Sequence, residues 1–142
     1  MLIIPTTDVT LITEATKRYA EDIVGFNPED WLGNNDNIAL TDMFGNVSLF
    51  EWFSPGIYTG HYFFVDRGKQ AIEIAEAMLA RVFMNEDVRV IRGVTPLTQL
   101  GARWLSRHLG FKGYGITDTV TGPCEIFILT KEEYLNKGRN RQ

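Results

Sequence analysis

Residues 57–95, IYTGHYFFVDRGKQAIEIAEAMLARVFMNEDVRVIRGVT, constrain the fold more tightly than any other stretch. An aromatic, strand-like run (57–65) breaks at Arg67-Gly68-Lys69 and restarts at once as a helical pattern over 68–84. There Ala71, Ala75, Met78 and Val82 share one stripe, with Ile72, Leu79 and Phe83 beside it. A second strand pattern, VRVIRGVT (88–95), follows and is ended by Pro96. Strand, crossover helix and strand imply a parallel pair at the centre of a sheet. The turn between the first strand and the helix admits two readings. One is an ordinary strand-to-helix connection; the other is an anion cradle, in which unpaired N–H groups at a helix start hold a phosphate. Gly68 permits close backbone approach or a positive φ, Arg67 and Lys69 add charge, and Ala71 is small.

The flanking sequence supplies hairpins and further helices. MLIIP (1–5) predicts a strand stopped by Pro5. A helix is predicted from Thr7, with Leu11 or Ile12, Ala15, Tyr19 and Ile23 at helical spacing and Thr6, Thr7 or Asp8 as N-cap. GFNPEDWLGNND (25–36) is turn-rich, with one short helical turn at PEDW. NIALTDMF (37–44) and NVSLFEWF (46–53) meet at the hairpin signal Gly45-Asn46, and SPG (54–56) marks the next turn. LTQLGARWLSRHLGF (97–111) predicts a second amphipathic helix, with Leu97, Leu100, Trp104 and Leu105 on its apolar side and Gly110 as C-cap. Strands are predicted near 111–120 and over 125–130, around TGP. The expected fold class is α/β (α+β): a mixed, largely antiparallel sheet of six to seven strands with a parallel central pair and helices on both faces. We expect a single domain over 1–135 and a polar, frayed tail over 136–142.

Bulk properties narrow the function classes. A 142-residue chain with 44% hydrophobic and 23% charged residues suits one core. A net charge of -4 offers no broad basic field, which argues against nucleic acid; in its favour stand only Lys131, Lys137, Arg139 and Arg141. One cysteine, Cys124, excludes an internal disulfide and suits a reducing compartment, and its sequence surroundings show neither a helix start nor a base for a nucleophile. No stretch approaches the length of a membrane span, and MLIIPTTDVT lacks a basic n-region, so a cytoplasmic location is expected. No His/Cys/Asp/Glu group has metal-ligand spacing, and no metal is expected.

The order of elements and the turn RGKQA (67–71) resemble the GNAT superfamily of acetyl-CoA-dependent N-acyltransferases over residues 2–129. The most specific stretches are GIYTGHYFFVDRGKQAIEIAEAML, VIRGVTP and ARWLSRHLGF. The short form of the turn also resembles phage-type GNAT-like proteins. The family's motif has a glycine where Gln70 stands. The resemblance implies acetyl-CoA as cosubstrate, with its pyrophosphate on Arg67, Gly68, Lys69, Gln70 and Ala71. The pantetheine arm would lie between strands 57–65 and 88–95, which splay apart, as a bulge would allow, and backbone from Tyr62, Phe63, Phe64 and Val65 would meet the acyl group. The family's tyrosine acid corresponds to Ser106, and an asparagine of the same helix to Gln99. Trp31 falls where the family builds its acceptor wall; it lines that wall or plugs the core.

Acyl transfer to an amine needs a neutral amine, a polarised thioester carbonyl and a proton for the leaving thiolate. His61, which titrates near neutrality, is a candidate base or a hydrogen-bonded structural histidine. Glu51 alternates away from Phe50 and Trp52, and is either a base in an acceptor cleft or a solvent-facing carboxylate. Tyr114 is a candidate acid or an ordinary strand aromatic. His108 suits a helix C-terminus. The expected function is N-acetyl transfer to a small-molecule or protein amine. The alternative is a catalytically degenerate GNAT-like module, phage-encoded or virion-associated, in host cytoplasm or virion. A homodimer is compatible with either.

Overall fold

A computed structural model describes residues 1–19 and 25–140. The elements run β1 (Ile4–Pro5), α1 (Val9–Lys17), α2 (Pro28–Leu32), β2 (Ile38–Thr41), β3 (Val47–Ser54), β4 (Ile57–Phe63), α3 (Gly68–Phe83), β5 (Val90–Pro96), α4 (Leu100–His108), β6 (Lys112–Thr119), β7 (Gly122–Thr130) and α5 (Lys131–Asn140). Seven strands form one sheet in the order β1-β2-β3-β4-β5-β7-β6. Only β4 and β5 run parallel; every other neighbouring pair is antiparallel. The expected mixed sheet with its central parallel pair is the one observed.

Strand alternation sends side chains to two faces, and each face is covered. On one, Phe50, Tyr58, Phe64, Ile91, Phe127 and Leu129 pack against the α3 stripe Ala71, Ala75, Met78 and Val82, and against Leu105 and Leu109 at α4. On the other, Ala39, Val47, Leu49 and Phe63 meet Ile12 and Ala15 of α1 and Trp31 of α2. Burying an aliphatic or aromatic side chain of this size is worth about 1.5–3 kcal/mol, so both helix layers are held mainly by these contacts.

The short helices start on polar caps. Asp8 accepts from Leu11 N–H at 3.1 Å, and Asn27 accepts from Asp30 N–H at 3.1 Å with Pro28 opening the first turn. The helical turn expected at PEDW is α2. Ile23, expected on the first helix, lies outside the described residues.

Two expectations need correction. Leu100 and Trp104 were placed on the buried side of α4, yet they are exposed, and Leu105, Ser106 and Leu109 are buried instead. The helix starts at Leu100 and not at 97, because Leu97 N–H is drawn to Pro123 O at the end of the sheet. Residues 136–140, read as part of a frayed tail, belong to α5. That helix docks by long-range contacts: Tyr134 stacks on Phe83 at 5.0 Å, and Lys137 Nζ donates to Leu109 O at 2.8 Å.

Candidate functional site

The parallel pair is joined by few rungs. β4 and β5 pair at Ile57↔Val90, Tyr58↔Ile91 and Thr59↔Arg92, and pairing then stops. On their outer sides both strands continue: β4 stays paired with β3 to Val47↔Phe63, and β5 with β7 to Pro96↔Cys124. Inward-facing backbone over 60–63 and 93–96 is therefore left without a strand partner. The splay was expected together with a bulge, but β4 keeps unbroken register with β3 from Tyr58 to Phe63; the one slip lies at the other end, between Trp52 and Ser54. The strands part by divergence alone.

A cleft of ≈ 1140 Å³ occupies this gap. It lies at the C-terminal ends of the parallel strands, where open α/β sheets bind ligands. On the side of α3 and α4 it is lined by Ala71, Leu105, Ser106 and Phe111; on the side of α1 and α2 by Trp31, Glu51, His61 and Arg92.

Two helices begin at this cleft, and neither has a capping side chain. At α3 the N-cap Arg67 is extended (φ -131, ψ 167), with no side-chain cap hydrogen bond and no acidic residue in the first turn. Gly68 has φ +60, and a Cβ there would have nothing within 4 Å. At α4 the N-cap Gln99 likewise makes no side-chain cap hydrogen bond. A helix start carries about half a positive charge and unpaired N–H donors, so both starts favour an anion or acceptor group.

The turn before α3 is clamped from the β2–β3 hairpin. Asn46 is fully buried. Its Oδ1 accepts from Val65 N–H at 2.9 Å and Asp66 N–H at 3.3 Å. Its Nδ2 donates to Asp42 Oδ2 and Asp66 Oδ2, each at 2.8 Å. Arg67 folds back, donating from Nη1 to Phe64 O at 3.2 Å and Tyr19 Oη at 3.4 Å.

No protein-family model matches the sequence, and no curated protein matches it. Solved structures do. The aminoglycoside acetyltransferase AAC(6')-Ib in complex with coenzyme A matches with a TM-score of 0.71 and 14% identity, over 99% of this chain and 98% of that chain. The spermidine/spermine N-acetyltransferase SpeG from Vibrio cholerae matches with a TM-score of 0.77 and 11% identity, over 96% and 97%. An uncharacterized protein from Bacillus halodurans matches with a TM-score of 0.74 and 8% identity, over 97% and 88%. This chain has the GNAT acyl-CoA N-acyltransferase fold.

Within the GNAT fold, the residues singled out from sequence separate into two sets. His61, Glu51, Ser106, Gln99, Phe63, Phe64, Arg67, Gly68, Ala71 and Trp31 line the cleft. Val65, Lys69 and Gln70 are exposed and do not line it. Tyr114 is also outside: it is 63% exposed on β6, the edge strand, where the ladder to β7 slips between Gly113 and Ile116. Trp31 sits in the core and also reaches the cleft. It belongs to the second core cluster, and its Nε1 donates to Glu51 Oε2 at 3.0 Å in the cleft. His108 Nδ1 meets Trp104 O at 2.9 Å in the last turn of α4. Cys124 is buried in the cleft wall.

His61 stacks on Phe63 with ring centroids 6.3 Å apart. Burial lowers its pKa below 6.5; the Glu51 carboxylate pulls it up and the Arg92 guanidinium pushes it further down. The imidazole is thus neutral, and basic, at pH 7. Arg92 Nε donates to Thr59 Oγ1 at 2.8 Å, and its guanidinium lies 3.9 Å over the Phe53 ring. Neither Asn46 nor Arg92 was picked out from sequence. Asn46 reads locally as a turn residue; Arg92 carries one signal, a charge between the apolar residues Ile91 and Val94 of a strand pattern. Among the described residues no group of His, Cys, Asp and Glu could hold a metal ion, and no helix is long and apolar enough to cross a membrane.

Proposed function

We propose that the protein is an acetyl-CoA-dependent N-acetyltransferase acting on a small-molecule amine. The observation that carries this reading is the end of β4–β5 pairing at Thr59↔Arg92, which opens backbone into a cleft running to the uncapped start of α3. The residues present suit acyl-CoA. The α3 N–H groups beside Gly68 fit a pyrophosphate, and unpaired backbone of 60–63 and 93–96 fits the amides of an extended arm. AAC(6')-Ib, crystallised with coenzyme A, and SpeG, a spermidine N-acetyltransferase, support the same cosubstrate and an amine acceptor.

Acetyl-CoA supplies the activated acyl carbon. In this reading a β4 backbone N–H polarises the thioester carbonyl. His61 takes the proton as the amine nitrogen attacks, the C–N bond forms and the C–S bond breaks. Glu51 favours the imidazolium that results. Ser106, buried on α4 where the family has its tyrosine, orders a water that passes a proton to the departing thiolate while the imidazolium releases its proton to water, leaving the amide and a neutral thiol.

Calorimetric titration with acetyl-CoA tests the reading, with Arg67→Glu as control. The expected result is binding by the wild type, weakened in the variant; no binding at high micromolar ligand overturns it. A second reading, a degenerate GNAT-like interaction module of phage or virion origin, is favoured by Ser106 in place of a phenol and by the distance of Tyr114 from the cleft. Binding without turnover on any amine would support it.

A further inference from the structure

Arg92 carries a charge that no direct ion pair meets among the described residues. It is partly buried in the cleft wall. Glu51 is near enough to raise the guanidinium's pKa, which burial lowers, but the two do not join. Charges removed from water are normally paired, so an open guanidinium in a cleft points to an anionic ligand. Its geometry is fixed as a receptor. Nε is held by Thr59 Oγ1, and one face of the plane rests on Phe53. The terminal Nη groups donate to no described residue, which leaves the fork edge that grips carboxylates bidentately.

Arg92 stands opposite Thr59 at the last β4–β5 rung, and His61 follows Thr59 by two residues on the same face, roughly 7 Å along the strand. Glu51 pairs with Thr59 from the other side. A negative group, a positive group and a neutral base therefore surround one stretch of β4. We infer that the acceptor is a small amine that also carries a carboxylate, an amino-acid-like zwitterion, with the carboxylate on Arg92 and the amine between Glu51 and His61. A polyamine matches this pattern less well, because Arg92 repels a second ammonium even though Glu51 and Asp30 attract one.

This inference rests on the acyl-transfer reading, and its test separates the two. Calorimetry on the intact protein, with coenzyme A present, compares alanine, phenylalanine and glutamate with their amides, and with putrescine. At least one acid is expected to bind about tenfold or more tighter than its amide, and the preference is expected to vanish in Arg92→Met and to weaken in Arg92→Lys. Amides binding as well as acids, putrescine binding above all acids, or no binding by the whole series each overturns the inference. The acyl-transfer reading falls separately, on failure to bind acetyl-CoA. The acid-versus-amide comparison in the wild type holds even if a variant does not fold.

Discussion

Asn46 Nδ2 donates to Asp66 Oδ2 at 2.8 Å, across 20 residues of sequence, while Asn46 Oδ1 takes the N–H groups of Val65 and Asp66. One buried amide thus joins the β2–β3 hairpin to the turn that launches α3. Asn46→Ala leaves two partly buried N–H groups and two carboxylates without their partner and should cost about 2–3 kcal/mol. Asn46→Asp should cost more, since it sets a third carboxylate beside Asp42 and Asp66. Denaturant titration measures both. Acetyl-CoA affinity should fall more in Asn46→Ala than in Ile12→Val, which thins the other core without touching the turn.

Glu125 anchors α4. Its Oε1 accepts from Arg103 Nε at 3.0 Å, and its two oxygens accept from Arg107 Nη2 at 2.9 and 2.8 Å. Burial alone would raise its pKa, but the hydrogen bonds and charges of Arg103 and Arg107 outweigh it and hold the carboxyl below 4.5. A depressed carboxyl pKa contributes stability that is present above 4.5 and lost as pH falls through the folded value. Glu125→Gln should lower stability by about 2 kcal/mol at pH 7, and the gap to wild type should close on acidification. Melting curves at pH 7 and well below 4.5 check it.

A Cβ at Gly113 would stand 2.7 Å from Glu125 Oε2. Gly113→Ala should therefore displace the same carboxylate. Its cost should be less than additive with Glu125→Gln in a double-mutant cycle, because both changes remove one interaction. Full additivity would show that Gly113 matters for another reason.

His61 should set the acid limb of kcat/KM. Because burial lowers its pKa, the limb should lie below pH 6.5. Glu51→Gln removes the charge that raises it and should move the limb further to acid; Arg92→Met removes the charge that lowers it and should move the limb up. His61→Gln should abolish the limb and reduce kcat/KM by about 10²–10⁴-fold. A limb unmoved by all three changes would exclude the imidazole.

Gly68 carries φ +60 with open space where a Cβ would go. Substitution there meets backbone strain and no clash. Gly68→Ala should cost about 1–2 kcal/mol, and Gly68→Asn less, since asparagine tolerates the left-handed region. Thermal melts of the pair test the ordering.

The centre of the fold was legible because each local signal agreed: the aromatic run, the break at Gly68, the small-residue stripe of α3 and the apolar run before Pro96. The hairpins at Gly45-Asn46 and SPG were legible for the same reason. What escaped depends on partners distant in sequence. Helix α5 is polar by composition and is held by Phe83, Lys112 and Leu109, which no local pattern of 131–140 reveals. Leu100 and Trp104 misled because Leu105, Ser106 and Leu109 take the buried side of α4, leaving Leu100 in solvent and Trp104 half-exposed in the cleft lining. His61, Glu51, Ser106 and Gln99, singled out by residue type and position, all line the cleft. Arg92 and Asn46 make their contacts with residues distant in sequence, and Tyr114 lies outside the cleft, on the edge strand where the ladder slips.

The three rungs between β4 and β5 divide the sheet into two panels. Each panel is continuous in sequence: β1 to β4 precede the seam, and β5 to β7 follow it. The chain passes from one panel to the other through α3 and the short segment after Phe83. A backbone cut near Glu86 would split the molecule along its own seam into two self-paired halves. A ligand seated in the gap would then act as the fastener between them, making reassembly of the fragments a direct reporter of what the cleft holds.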